Sequence, residues 1–170
     1  MKTLKFLLIL TIILTGFNNA RADQPTLSVA FNNVINSYLD IKNALIAGDA
    51  TTAQAKAKSL TTALNTIPQK EMDIAQYKAW AAYASKLKAD AQHISAQNNT
   101  DVKREHFATL SSNFMAVLKA FNVNKTTLYK QYCPMKKSYW LSEISAIKNP
   151  YYGNMMLTCG TTQDTIVAAK

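Results

Sequence analysis

Four apolar stripes with helical spacing run through residues 27–121 and leave few folds open to the chain. In each stripe the apolar side chains recur every three or four residues, which places them on one face of an α-helix. We interpret the stripes as core packing rather than as a cofactor site. Their members are Leu27, Phe31, Val34, Tyr38, Ile41 and Leu45; Ala53, Ala57, Leu60, Leu64 and Ile67; Tyr77, Trp80, Ala81, Ala84, Leu87, Ala91 and Ile94; and Phe107, Leu110, Phe114, Val117, Leu118 and Phe121.

The stripes end where helix-ending residues occur in the sequence. Gly48 follows the first stripe as an expected C-cap, Pro68 follows the second, and the polar run Gln97–Thr100 follows the third. Such short connections favour antiparallel neighbouring helices. We therefore predict an all-α fold, an up-down four-helix bundle within about residues 25–122.

Residues 1–22 have the pattern of a secretory signal peptide. Two lysines precede an apolar run over residues 6–14, and Ala20-Arg21-Ala22 closes the segment as an A-x-A cleavage site. The apolar run is about half as long as a membrane-crossing helix, so no membrane insertion is expected after cleavage. We expect a periplasmic protein, cleaved after Ala22, with a single domain over residues 23–160.

The charge balance of the chain is basic, with a formal net charge of +9 at pH 7. In a cytosolic protein such a balance would suggest nucleic acid as a partner, but export removes that partner. We interpret the charge as a solvated basic surface, and the alternative is a docking surface for an acidic protein partner.

After Asn124 the helical period is lost and the composition changes. Residues 129–160 gather tyrosine, tryptophan, proline and methionine together with both cysteines of the chain. We predict an irregular cap, rich in Cys, Met and aromatic residues, over about residues 126–160 that packs on the bundle. Residues 161–170 are expected to form a flexible tail.

Soft sulfur donors cluster in the predicted cap, because each cysteine has a methionine two or three residues away. Thiolate and thioether sulfur select Cu(I) and Ag(I), and imidazole adds a borderline nitrogen donor. We therefore predict a soft-metal binding protein with one Cu(I) or Ag(I) ion. The predicted ligands are Cys133, Met135, Met156 and Cys159, with His106 as an additional nitrogen donor.

Two cysteines in an oxidising compartment also suggest a disulfide. A bond between Cys133 and Cys159 would stabilise the cap by constraining the unfolded chain. The methionines would then be packing residues, and His106 a structural histidine. The protein would in that case be a metal-free interaction module that docks on an envelope or efflux partner. Both interpretations require the two cysteines to lie close together.

The sequence does not favour an enzyme. It contains no G-x-S-x-G, no H-E-x-x-H and no phosphate-binding glycine loop. A nucleophilic pair of Cys133 or Cys159 with His106 is the remaining enzymatic alternative. The chain also lacks C-x-x-C-H, so no covalently attached haem is expected. Non-covalent haem held in the bundle by Met and His axial ligands is the remaining alternative, but we predict no haem cofactor.

Several motifs together resemble an uncharacterised family of bacterial domains. The family occurs as small exported proteins and fused to adaptor subunits of copper and silver efflux systems. The resemblance implies a helical bundle and an association with heavy-metal handling. The motifs that carry it are Arg104-Glu105-His106-Phe107 with Leu110-Ser111, Tyr132-Cys133-Pro134-Met135, Tyr139-Trp140-Leu141-Ser142, and Asn149-Pro150-Tyr151-Tyr152-Gly153 followed by Met156 and Cys159-Gly160.

Overall fold

Four helices form the larger part of the structure, a computed structural model that describes residues 25–169. The helices are α1 (Leu27–Ala47), α2 (Ala50–Asn65), α3 (Ile74–Ala96) and α4 (Thr100–Phe121), with a short 3-10 turn at Gln69–Glu71 between α2 and α3. The predicted four helices within residues 25–122 are therefore confirmed. The predicted signal peptide lies outside the described residues.

Each of the four helices begins at a side chain that accepts a backbone N–H of its first turn. These N-cap residues are Thr26, Asp49, Asp73 and Asn99. Gly48 ends α1 in the left-handed conformation with φ of 73°, as the sequence predicts. The caps satisfy backbone donors that have no partner inside a helix, so the local sequence sets the helix boundaries.

Aromatic rings fill the space between α1 and α4. Phe31 stacks on Phe121 with 4.2 Å between the ring centroids, and the centroids of Tyr38 and Phe107 are 5.0 Å apart. Each helix also packs against the next one along the chain. Among the described residues, no helix combines the length and the apolar character that a membrane span requires.

A three-stranded antiparallel sheet follows the helices, so the prediction of an all-α fold with an irregular cap is wrong. Tyrosine, tryptophan and threonine in the three segments favour extended backbone, and pairing satisfies the backbone N–H and C=O groups. The first two strands form a hairpin, and the third pairs with the other edge of the first. The strands are β1 (Leu128–Cys133), β2 (Ser138–Ser142) and β3 (Thr161–Ile166), in the order β2-β1-β3.

The segment after Gly160 is not the flexible tail that the sequence predicted. Thr161–Ile166 pairs along β1, and the Ala169 N–H donates to the Asn124 carbonyl oxygen at 2.8 Å. The Asn124 side-chain amide in turn donates to the Val167 carbonyl oxygen at 2.9 Å. Because most β3 side chains are exposed, backbone hydrogen bonds hold the strand, and an apolar pattern could not reveal it.

Tyr38 joins the bundle to the sheet. Its hydroxyl lies 2.7 Å from Ser111 Oγ on α4 and accepts a hydrogen bond of 3.0 Å from the Leu141 N–H on β2. The side chain is fully buried, and burial raises the pKa of the hydroxyl. The hydroxyl therefore stays neutral, and its hydrogen bonds link α1 to α4 and to β2.

We expect Tyr38→Phe to lower the free energy of unfolding by about 1–3 kcal/mol, because the buried Leu141 N–H loses its acceptor. Urea denaturation measures the change. The matched control is Tyr77→Phe, because Tyr77 was predicted to pack in the core but its side chain is 54% exposed. This substitution should change stability by less than about 0.5 kcal/mol. Equal effects of the two substitutions would contradict the role given to Tyr38.

Candidate functional site

The buried guanidinium of Arg104, near the start of α4, anchors the loop that leads to Cys159. Arg104 Nε donates to the Pro150 carbonyl oxygen at 3.2 Å, and Nη2 donates to the Leu45 carbonyl oxygen at 3.3 Å. The third nitrogen, Nη1, pairs with the Asp101 carboxylate at 2.9 Å. Arg104 therefore ties the end of α1 and the start of α4 to the C-terminal loop.

Gly153 allows this loop to lie directly against Arg104. Its φ is +53°, and a Cβ at this position would lie 2.8 Å from Arg104 Nη2 and 3.0 Å from the Ile46 carbonyl oxygen. Glycine adopts this backbone conformation without steric cost and adds no atom to the contact. The close approach of loop and bundle therefore depends on a glycine here.

Asn149 closes the loop that carries Cys159. Its Nδ2 donates to the Cys159 carbonyl oxygen at 2.7 Å, and its Oδ1 accepts from the Tyr151 N–H at 2.8 Å. Its backbone N–H donates to the Leu157 carbonyl oxygen at 2.8 Å. Because Asn149 is fully buried, water does not compete for these bonds, and they fix the position of Cys159.

The two cysteines lie side by side, as both interpretations of the sequence required. Cys133 ends β1 and is fully buried, whereas Cys159 lies just before β3 and is half-buried. Both are free thiols, and their Sγ atoms are 3.9 Å apart. The Lys136 N–H, in the turn after β1, donates to Cys133 Sγ at 3.4 Å.

The environment of Cys159 raises the pKa of its thiol. Burial of the sulfur is the main cause, and the neighbouring Cys133 thiol acts in the same direction, whereas the backbone N–H of Met135 lowers it. A raised pKa keeps the thiol protonated at neutral pH. A metal ion must therefore displace a proton to bind.

The methionines predicted as ligands lie on the two turns that carry the cysteines. Met135 is 62% exposed in the turn between β1 and β2. Met156 is half-buried, and its carbonyl oxygen accepts the Cys159 N–H at 3.1 Å. The neighbouring Met155 is 72% exposed. Both turns therefore carry a flexible thioether close in sequence to a thiol.

His106 does not join the cysteines. Its ring stacks on that of His93 across α3 and α4, with 4.6 Å between the centroids. Among residues 25–169, no three or more His, Cys, Asp or Glu side chains come close enough together to hold a metal ion. The predicted nitrogen donor therefore belongs to the bundle, and the arrangement of Cys133 and Cys159 does not include it.

Sequence reasoning gave no role to His93 or Asn149. His93 could have been paired with His106 by counting outward from the short turn between two antiparallel helices. Asn149 belongs to one of the family-like motifs, but the spacing of the residues in the chain does not show which backbone groups its amide meets. Its position is clear only once the loop is seen closed over Cys159.

We expect Gly153→Ala to destabilise the protein more than Gly48→Ala does. Both glycines have positive φ, 53° and 73°, but a Cβ at Gly48 would meet no atom within 4 Å. Gly48→Ala should cost about 1–2 kcal/mol for the backbone conformation alone, and Gly153→Ala a further 1–3 kcal/mol or so for the contact with Arg104. Urea denaturation of both variants measures the difference, and equal costs would contradict the packing argument.

We expect the reduced protein to react with iodoacetamide more slowly than free cysteine at about pH 8, because only the thiolate reacts and the pKa of the Cys159 thiol is raised. The pH at half-maximal rate should lie above that of free cysteine. Cys133→Ser removes the neighbouring thiol and should move this midpoint downward. A midpoint at or below that of free cysteine in the unsubstituted protein would contradict the account.

A family model described as "Protein of unknown function (DUF3347)" matches residues 34–126. The match covers more than half of the chain, from within α1 to just past α4, and ends before β1, so that both cysteines lie outside it. No curated protein and no solved structure matches the chain significantly. On the strength of this match, the chain belongs to the DUF3347 family of proteins of unknown function.

Proposed function

We propose that the protein is an exported, periplasmic soft-metal protein that binds Cu(I) or Ag(I) through the thiolates of Cys133 and Cys159. The observation that carries the proposal is the separation of 3.9 Å between the two sulfur atoms. Metal–sulfur bonds of about 2.3 Å, as zinc forms, reach a shared ion from sulfurs up to about 4.6 Å apart. Both thiolates can therefore bind one ion without movement of the backbone.

The chemistry of the neighbouring donors fits a soft ion. Met135 and Met156 can each add a neutral thioether, which hard cations such as Mg²⁺ and Ca²⁺ do not prefer. Met135 is largely exposed and Met156 half-buried, so that either side chain can move toward the thiols. Two thiolates with one thioether form a donor set that favours Cu(I) and Ag(I) over oxygen-seeking ions.

Two backbone N–H groups offset part of the cost of charging the thiols in the bound state. Two thiolates and one monovalent cation leave a single negative charge. The Lys136 N–H already donates to Cys133 Sγ, and the Met135 backbone N–H favours the Cys159 thiolate. Hydrogen bonds to the charged form of a group stabilise that form. The two N–H groups would therefore partly compensate the negative charge that remains on the thiolates when an ion binds.

The site lies at the surface, which suits a protein that passes its ion to a partner. Cys159 is half-buried and Met135 is 62% exposed. A partner could reach the ion from this side without opening the bundle. An efflux adaptor or another envelope protein is the partner that the family resemblance suggests, and we propose a role in heavy-metal efflux or resistance.

We expect the reduced protein to hold one equivalent of Cu(I) against a colorimetric Cu(I) chelator under anaerobic conditions. Cys133→Ser and Cys159→Ser should each weaken binding by about a hundredfold or more, since loss of an outer-shell contact already costs 10–100-fold. Met135→Leu or Met156→Leu should each weaken binding much less, because each removes one neutral donor and leaves the other methionine in place. Binding should weaken as the pH falls, because protons compete for the thiolates.

Met72→Leu is the matched control, since Met72 lies between the 3-10 turn Gln69–Glu71 and α3, outside the sheet that carries the thiols. It should leave the affinity unchanged. If the unsubstituted protein and Cys133→Ser/Cys159→Ser lose the competition equally, the metal proposal is wrong. Folding of each variant is checked by far-UV circular dichroism, so that lost binding is not mistaken for lost structure.

The same sulfur separation supports a second candidate, a disulfide-stapled interaction module without metal. The Sγ atoms need only close from 3.9 Å to about 2.05 Å to form the bond. Counting free thiols in protein isolated without reductant separates the candidates. Two free thiols favour metal binding, and none favours the staple.

A further inference from the structure

The two histidines of the chain meet on the surface of the bundle. His93 lies in the last turn of α3 and His106 in the second turn of α4. Their rings are nearly parallel, with an interplanar angle of 10° and 4.6 Å between the centroids. His93 is exposed and His106 half-buried, so that solvent and small ions reach the pair.

Hydrogen bonds on both sides hold the helices in the register that pairs the histidines. On one side, the Asp90 carboxylate accepts from Thr109 Oγ1 at 2.6 Å and from Asn113 Nδ2 at 2.9 Å. On the other side, buried Lys103 donates through Nζ to the Ile94 carbonyl oxygen at 2.8 Å. The packing of α3 on α4 therefore keeps the two histidines adjacent.

We propose that His93 and His106 form a second metal site, for a divalent borderline cation such as Zn(II) or Cu(II). Imidazole nitrogen suits these ions, and metal–nitrogen bonds are about 2.0–2.1 Å long. Because His93 is exposed, a rotation of its side chain can bring a nitrogen of each ring to one ion. Water completes the coordination shell.

Near His93, two sources of negative charge oppose the ammonium of Lys103, which donates to the Ile94 carbonyl oxygen. His93 belongs to the last turn of α3, where the helix dipole places partial negative charge. The Asp90 carboxylate, one turn earlier on the same helix, adds a negative charge on the same seam. The site has nitrogen donors on a helical surface, whereas the cysteine site has sulfur donors beside the sheet, and the two proposals are independent.

Titration of the unsubstituted protein with Zn(II) alone, followed by NMR of the imidazole ring protons at about pH 7.5, tests the proposal. Both histidines should shift together with one dissociation constant. His93→Gln and His106→Gln should each weaken the response of the remaining histidine by about tenfold or more, since even an outer-shell loss costs 10–100-fold. Mg²⁺, a hard cation, should shift neither ring.

The readout separates this site from the thiols, because only these two residues give imidazole signals. A Zn(II) response of the remaining histidine that is unchanged in either single variant would overturn the proposal. Absence of any imidazole shift in the unsubstituted protein would overturn it as well and leave the pair as a stacking contact. Both substitutions change solvent-accessible side chains, and circular dichroism checks that the variants fold.

Discussion

The buried guanidinium of Arg104 holds the C-terminal loop on the helical bundle, and the geometry of the cysteine pair depends on it. A buried charge is costly unless its donors are paired. Here the carbonyl oxygens of Leu45 and Pro150 and the carboxylate of Asp101 accept from its three nitrogens. The contacts that fix the loop therefore also compensate the buried charge of Arg104.

Two further features position the thiols relative to Arg104. Asn149, next to the anchored Pro150, binds the carbonyl of Cys159, and β1 brings Cys133 to the same place from the other direction. The hydrogen bonds that position the backbone of each cysteine form within the protein and do not require a metal ion. A site arranged in advance in this way requires little ordering when an ion binds.

The helices could be predicted from the sequence because burial of an apolar face imposes a period, and because residues such as Gly48 and Pro68 mark helix ends. The strand Thr161–Ile166 was missed because it exposes its side chains and is held by backbone hydrogen bonds. The proximity of Cys133 and Cys159 was predicted, because a shared metal ion and a disulfide bond both require it. The place of His106 was not predicted, because it follows from the packing of α3 on α4 and not from sulfur chemistry.

The two proposed metal sites have different donors: sulfur beside the sheet and imidazole nitrogen on the helical bundle. X-ray absorption at the copper edge of the protein loaded with one equivalent of Cu(I) distinguishes them most directly. If Cys133 and Cys159 hold the ion, its first shell contains sulfur alone, at a distance of about 2.3 Å. A first shell containing nitrogen or oxygen, or a protein that retains no copper after gel filtration, would contradict it.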